Sequence, residues 1–314
     1  MELYGIEANP VPEGAVVGEV MASDGVKLRY ARWQPTKRRT IGTVCLFQGR
    51  GECIERYFEV VGDLRKRGFA VATLDWRGQG GSDRPLRNRH KGHVDSFDEY
   101  ERDLDAFMQQ VVLPDCPPPY FALAHSTGGL VCLRSARAGH TRFTRMVLAA
   151  PLMGLGRKRP SPGMIQAGAA LMTAIGLGEL DLSRSHNRAI AENIFEGNPF
   201  TGDPDRFARN AAIYRELPQV SIGPPTFGWL HAACKAMSEA AEPDFAPAIG
   251  VPTLVMVGMM DTVVSVAAAE TLADELRAGA LVILPGARHE LMMERDVIRE
   301  QFWAAFDAFV PGSS

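Results

Sequence analysis

Two periodicities divide the chain. Short apolar runs of strand length occur at 43–47 (TVCLF), 69–74 (FAVATL), 121–124 (FALA), 146–150 (MVLAA), 252–258 (PTLVMVG) and 280–284 (ALVIL). Each is continuous, not alternating, as expected of strands covered on both faces. Ahead of them, residues 16–33 alternate around Ser23-Asp24-Gly25, where Asp-Gly predicts a hairpin, so an antiparallel pair precedes the rest. Helical spacing fills the gaps. Tyr57, Phe58, Val60, Val61 and Leu64 form one apolar face closed by Gly68, and Phe97, Tyr100, Leu104, Phe107, Met108 and Val111 form another, running over 97–112 and stopped by Pro114. Further helices are predicted at 266–276 and 296–309. Strands alternating with helices predict an α/β chain: a mostly parallel eight-stranded sheet with helices on both faces.

The alternation is interrupted once. No strand-like run occurs at 151–247, whereas 164–177 is apolar nearly all round and 207–217 and 227–237 carry helical spacing. A helical block between the sixth and seventh strands predicts an insertion over one end of the sheet. The expected organisation is therefore a core of residues 1–150 and 248–314 with a helical cap of residues 151–247.

Composition narrows the function classes. With 314 residues, 46% hydrophobic and 23% charged, the chain can bury one large core and does not have the composition of a disordered protein. A net charge of −3, with both signs mixed along the sequence, gives no basic field for nucleic acid. No apolar run reaches the roughly 18 residues of a spanning helix. Residues 1–17 have neither the basic nor the apolar stretch of a secretory leader. The five cysteines are scattered, and Cys45 and Cys132 lie inside apolar runs as small hydrophobes, so a reducing cytoplasm is the expected home. His90 and His93 have no neighbouring ligands to complete a zinc set, and Gly78-Gln79-Gly80-Gly81 lacks dinucleotide-loop spacing. Neither a metal nor a cofactor is expected.

In an open parallel sheet, ligands bind beyond the carboxyl ends of the strands, which makes the residues after each strand informative. The run at 121–124 ends at His125-Ser126-Thr127 with Gly128 and Gly129 behind it: strand, sharp turn, helix, the context of a nucleophile elbow. The pattern is Ala124-x-Ser126-x-Gly128, with alanine in the place of the first glycine. Asp261 follows the seventh strand and His289 the eighth. A serine hydroxyl is a weak nucleophile unless a base takes its proton, and a histidine base needs a carboxylate to hold its tautomer. Taken singly, Ser126 could sit in an ordinary turn, Asp261 could cap a helix and His289 could be a loop residue. Jointly they supply one catalytic set. Asp244 is the other candidate acid, but it lies in the return segment of the cap and not after a strand. Acyl transfer also needs donors for a developing oxyanion, and the backbone N–H groups of Arg50, in the loop after the third strand, and of Thr127 are placed for that.

These residues and the loops around them resemble the α/β-hydrolases, in particular the monoglyceride lipase and lysophospholipase branch, some members of which are labelled serine aminopeptidases. The matching stretches are QGRGE at 48–52, where the branch has histidine first, DWRGQGGSD at 75–83, HKGHVDSFDEYERDL at 90–104, AHSTGG at 124–129, VGMMDTVV at 257–264 and GARHELMMERD at 286–296. GPPTFGWLHAA at 223–233 resembles the stretch with which the branch lines its pocket. Gln48 and Ala124 depart from the pattern, but the oxyanion donors are backbone groups and survive both changes. The resemblance implies a serine ester hydrolase acting through an acyl-enzyme on a small lipid ester, a monoacylglycerol or a lysophospholipid. Met164, Leu171, Phe227 and Trp229 are candidates for an acyl-chain lining, with simple packing of the cap onto the core as the alternative, and an apolar cap could touch membranes transiently. A peptidase would need an acidic pocket for the substrate amine. Glu179, Asp181, Glu192 and Glu196 offer one, although mixed with Arg184 and Arg188 they read as a solvated face. A hydrolase-fold binding protein without catalysis is disfavoured by the intact serine, aspartate and histidine.

Overall fold

The structure is a computed structural model that describes residues 1–140, 142–156, 161–182 and 194–311. β1 (Val16–Met21) and β2 (Lys27–Trp33) form the hairpin that Asp24-Gly25 predicts, with Gly25 in the left-handed region at φ 85°. They are followed by β3 (Gly42–Phe47), β4 (Phe69–Leu74), β5 (Tyr120–His125), β6 (Arg145–Ala149), β7 (Thr253–Gly258) and β8 (Gly279–Leu284). All eight lie in one sheet in the order β1-β2-β4-β3-β5-β6-β7-β8. β2 is antiparallel to both neighbours, and every other pairing is parallel.

Successive side chains of a strand point to opposite faces, and here both faces are apolar. On β3, Cys45 and Phe47 join one buried cluster while Val44 and Leu46 join the other; on β6, Met146 and Leu148 separate from Val147 and Ala149 in the same way. The first cluster is closed by the helices Asp98–Phe107, Thr127–Arg137, Phe227–Ala240 and Val266–Glu275, the second by Phe58–Arg67 and Asp296–Phe309. Two-sided cover is the reason these strands read as unbroken apolar runs. The helix expected at 97–112 is α-helical over Asp98–Phe107 and widens into a π-turn over Met108–Val112.

Between β6 and β7 the described residues form the helices Pro162–Ala174, Pro204–Glu216 and Phe227–Ala240 and add no strand to the sheet. The helix Phe227–Ala240 is anchored at its start: the Thr226 hydroxyl accepts the Trp229 amide and meets His93 Nδ1 at 2.7 Å. A side chain at Gly228 would overlap the His93 ring, so glycine there permits the contact. Pro162–Ala174 packs against this helix and buries Ala169, leaving Met164 and Leu171 at 66% and 62% exposure.

One buried cation holds the antiparallel edge to the rest. Arg29 of β2 donates from Nε to Asp75 (2.7 Å) and from Nη1 and Nη2 to Glu55 (2.8 and 2.7 Å), and all three side chains are sealed from water. Asp75 also accepts the amides of Ile54 and Gly81, so the loop after β4 and the turn after β3 share one carboxylate. Removing the cation leaves two buried carboxylates facing each other. Arg29→Met is expected to lower the unfolding free energy by about 3–5 kcal/mol, measured by chemical denaturation. A loss within about 0.5 kcal/mol, the size of an ordinary surface substitution, would show that the cluster carries no such weight.

Candidate active site

The turn after β5 places Ser126 at φ 49° and ψ −113°, a strained conformation for a residue with a Cβ. The surroundings hold it there: the Ser126 amide donates to Ala149 O, and its carbonyl accepts the amides of Gly129, Leu130 and Leu152. The following helix can come this close to β3 only because position 128 lacks a side chain, since a Cβ there would lie 2.8 Å from Gln48 O and 2.9 Å from Phe47 O. Position 124 is different. The Ala124 methyl is fully buried in the sheet between β3 and β6, so the alanine in place of the first elbow glycine is accommodated in the core.

Asp261 and His289 meet because the ends of β7 and β8 are pinned together. The amides of Met259 and Met260 donate to Leu284 O and Ala287 O, and a Cβ on Gly258 would overlap the carbonyls of Ala287 and Arg288. His289 Nδ1 donates to Asp261 Oδ2 at 2.7 Å, while Asp261 Oδ1 accepts the amides of Val263 (2.7 Å) and Val264 (3.1 Å). Burial works to raise the Asp261 pKa, but the His289 hydrogen bond and these amides outweigh it and hold the carboxyl below its ordinary range. With Nδ1 carrying the proton, Nε2 of the neutral ring is the free base. His289 is 4% exposed, and its ring centroid lies 4.7 Å from that of His125, the residue before Ser126. The structure thus brings His289 and Asp261 into contact and sets His289 beside the elbow. It forms no Ser126–His289 hydrogen bond, a contact that commonly tightens only with substrate bound.

The loop after β3 approaches the same point. A Cβ on Gly49 would lie 3.2 Å from Ser126 Cβ and 2.9 Å from His125 Nδ1. The Gly49 amide turns inward to Glu52, whereas the amides of Arg50 and Thr127 donate to no group among the described residues. Of the four apolar residues expected to line a chain channel, Met164 and Leu171 face solvent, Phe227 is partly buried, and Trp229 is buried with its indole N–H donated to the Tyr100 hydroxyl at 2.9 Å.

Beneath the site lies a polar group that sequence reasoning missed. Glu52 accepts the Gly49 amide and the Tyr57 hydroxyl (2.6 Å), and it meets His125 Nδ1 at 3.1 Å and Arg56 Nη1 at 3.4 Å. His125 Nε2 faces the His289 carbonyl at 3.3 Å, and Arg56 Nη2 donates to Glu290 at 2.6 Å. Both His125 nitrogens therefore face acceptors, which suits an imidazolium. Burial opposes the charge on each partner; even so, Glu52 outweighs it to raise the His125 pKa, and His125 and Arg56 outweigh it to depress that of Glu52. The signal for this group was present in QGRGE and AHSTGG, but nothing in either string joins one to the other.

The strand order and the elbow define this chain as an α/β-hydrolase. It matches the family described as serine aminopeptidase, S33, over residues 38–296 and belongs to that family. It is similar to lysophospholipase L2 of Escherichia coli (strain K12), at 28% identity over 300 residues, 90% of this chain and 83% of that protein. It is also similar to monoglyceride lipase of Rattus norvegicus, at 26% over 182 residues, 58% of this chain and 57% of that one. The fold is shared with the Paleococcus ferrophilus monoacylglycerol lipase (TM-score 0.72, 24% identity, 91% of this chain and 99% of that one). A soluble variant of the Saccharomyces cerevisiae monoglyceride lipase shares it too (TM-score 0.74, 19% identity, 99% and 100%).

The buried pair makes a signed prediction. Stability from a depressed carboxyl is present above its unfolded value, about 4.3, and is lost as pH falls toward the folded one; stability from a raised imidazole is full below about 6.5 and is lost as pH rises through the folded value. The difference in unfolding free energy between wild type and Glu52→Gln should therefore be largest between about pH 4.3 and 6.5 and narrow on either side. A denaturation series across pH checks this, and a flat difference would mean that the two charges do not interact. In the same variant kcat is expected to fall by about 10²-fold with KM nearly unchanged, because reacting groups shift while binding surfaces stay.

Proposed function

We propose that the chain is a serine hydrolase that cleaves lipid carboxylic esters through an acyl-enzyme, with Ser126 as nucleophile, His289 as general base and Asp261 as its orienting carboxylate. The observation that carries the reading is the 2.7 Å contact of His289 with Asp261 beside the strained Ser126 elbow. His289 Nε2 would take the Ser126 hydroxyl proton as Oγ attacks the ester carbonyl, and Asp261 would stabilise the imidazolium. The amides of Arg50 and Thr127, without other acceptors, are assigned to the oxyanion. The proton then passes to the leaving alcohol, and water repeats the sequence to release the acid.

The names of the similar proteins support a monoacylglycerol or lysophospholipid as substrate. We assign residues 151–247 as a cap on a core of residues 1–150 and 248–314, a division supported by the three α-helices that the described residues form between β6 and β7. Met164, Leu171, Ile175 and Leu180 are exposed on it, which supports transient contact with a lipid surface and gives the chain-lining role to Phe227 and Trp229 first. Five free, buried cysteines support a reducing compartment. Among the described residues no helix is long and apolar enough to cross a membrane.

The peptidase reading has weaker support. Glu179, Asp181 and Glu196 are exposed, and Glu192, Arg184 and Arg188 lie outside the described residues. A fluorophosphonate probe is expected to label wild type and not Ser126→Ala. Hydrolysis of p-nitrophenyl esters should rise toward longer acyl chains and fall by about 10⁴-fold or more in the variant. Folded wild type that takes no label would sink the nucleophile assignment; labelling with turnover of aminoacyl-naphthylamides alone would move the peptidase reading to first place.

A further inference from the structure

The Arg50 side chain carries a charge that no carboxylate among the described residues pairs directly. Three buried arginines are paired, Arg29 with Glu55 and Asp75, Arg56 with Glu52 and Glu290, Arg77 with Asp24, Glu99 and Asp103, whereas Arg50 is half-buried. Arg50 forms no ion pair with a carboxylate among the described residues. Its guanidinium lies 5.1 Å from the Trp229 ring centroid, and Nη2 donates to the Gly223 carbonyl at 3.0 Å. Nε is shielded from solvent with no hydrogen-bond partner, and Nη1 donates to no described group. Burial pushes the guanidinium down to about 10 against the opposing electrostatic pull of Tyr100 and Asp181, so it remains a cation at neutral pH. A half-buried cation with a shielded, unpaired Nε costs free energy until an anion reaches it.

Its position says which anion fits. Arg50 follows Gly49, which abuts Ser126, and its own amide is the assigned oxyanion donor. In a lysophospholipid the phosphodiester stands one glycerol backbone away from the scissile carbonyl. The guanidinium stands one side chain away from the amide that would hold that carbonyl's oxygen. Guanidinium also matches phosphate oxygens better than any other side chain, through paired N–H donors in a planar fork. Trp229 backs the guanidinium on one face and Gly223 anchors one nitrogen, so the group is fixed before a ligand arrives.

We propose that the Arg50 side chain recognises the phosphodiester of the substrate and makes the site select lysophospholipids over uncharged monoacylglycerols. The proposal rests on the lipid-ester reading and adds the head group to it.

The test is a ratio. kcat/KM is measured for 1-palmitoyl-glycerophosphocholine and for 1-palmitoylglycerol with wild type, Arg50→Met and Arg50→Lys. The phospholipid-to-glyceride ratio is expected to fall by about tenfold or more in Arg50→Met and to recover in part in Arg50→Lys, which keeps the charge without the fork. An Arg50 that only props up Trp229 and Gly223 would lower both substrates alike, and an unchanged ratio would overturn the proposal. A second measurement needs no variant: glycerophosphocholine should compete with p-nitrophenyl butyrate on wild type where glycerol does not, and equal behaviour of the two would also overturn it. Wild type that cleaves the monoacylglycerol but not the lysophospholipid would overturn the Arg50 role alone, whereas wild type that cleaves neither would overturn the lipid-ester reading as well.

Discussion

The site depends on one buried carboxylate that three loops share. Glu52 comes from the turn after β3, His125 from the end of β5, and the His289 carbonyl from the loop after β8. The proposed nucleophile, oxyanion amides and base sit on separate pieces of chain, and the proposed catalysis requires them to hold position to within a fraction of an ångström. Glu52 supplies that constraint twice. By accepting the Gly49 amide it fixes the peptide that leaves the Arg50 amide unengaged, and by charging His125 it makes a two-ended donor that grips the His289 backbone. Arg56 then repeats the connection through Glu290, the neighbour of His289.

Such a cluster is costly unless every member is paired, because charges removed from water must be recovered by one another. Tyr57 and Arg56 complete the pairing around Glu52, and the Arg56 guanidinium also lies over the Tyr214 ring at 5.6 Å. Tyr214 belongs to Pro204–Glu216, a helix of the segment between β6 and β7, so the support beneath the site extends into the helical block. His93 and Thr226 make the second such junction, at the start of the helix that carries Trp229.

The sheet was legible in the sequence because six of its strands have apolar residues on both faces, and the mixed clusters of β3 and β6 are the structural form of that pattern. Ser126, Asp261 and His289 stood out as candidates for a different reason: each lies in the turn or loop that follows a strand, where a parallel sheet places its ligands. The Glu52 cluster could not. A pattern reading treats glutamate, arginine and histidine as surface residues, and only the folded chain shows that residues 52, 56, 125 and 290 converge in one dry space. The stretch 164–177 was ambiguous in kind. An apolar run of helical length reads the same whether it is buried in a core or turned outward, and here Ala169 packs inward while Met164 and Leu171 face out.

The proposed chain lining at Phe227 and Trp229 and the Arg50 charge would meet different halves of one ligand. A lipid with a single acyl chain offers a long apolar tail and a compact polar head, and a site that cuts between them must meet both. The proposed lining at the start of Phe227–Ala240 would take the tail. Arg50, in the loop assigned to the oxyanion and backed by Trp229, is the group proposed to meet the head. A peptide substrate would invert the requirement, since its free amine calls for buried acid near the serine. The buried acids beside the elbow are already engaged: Glu52 and Glu290 by His125, Arg56 and Tyr57, and Asp261 by His289. The Arg50 proposal thus calls for an anionic head group where a peptidase would call for a cationic terminus, and that difference separates the two activities associated with this family's name and its relatives.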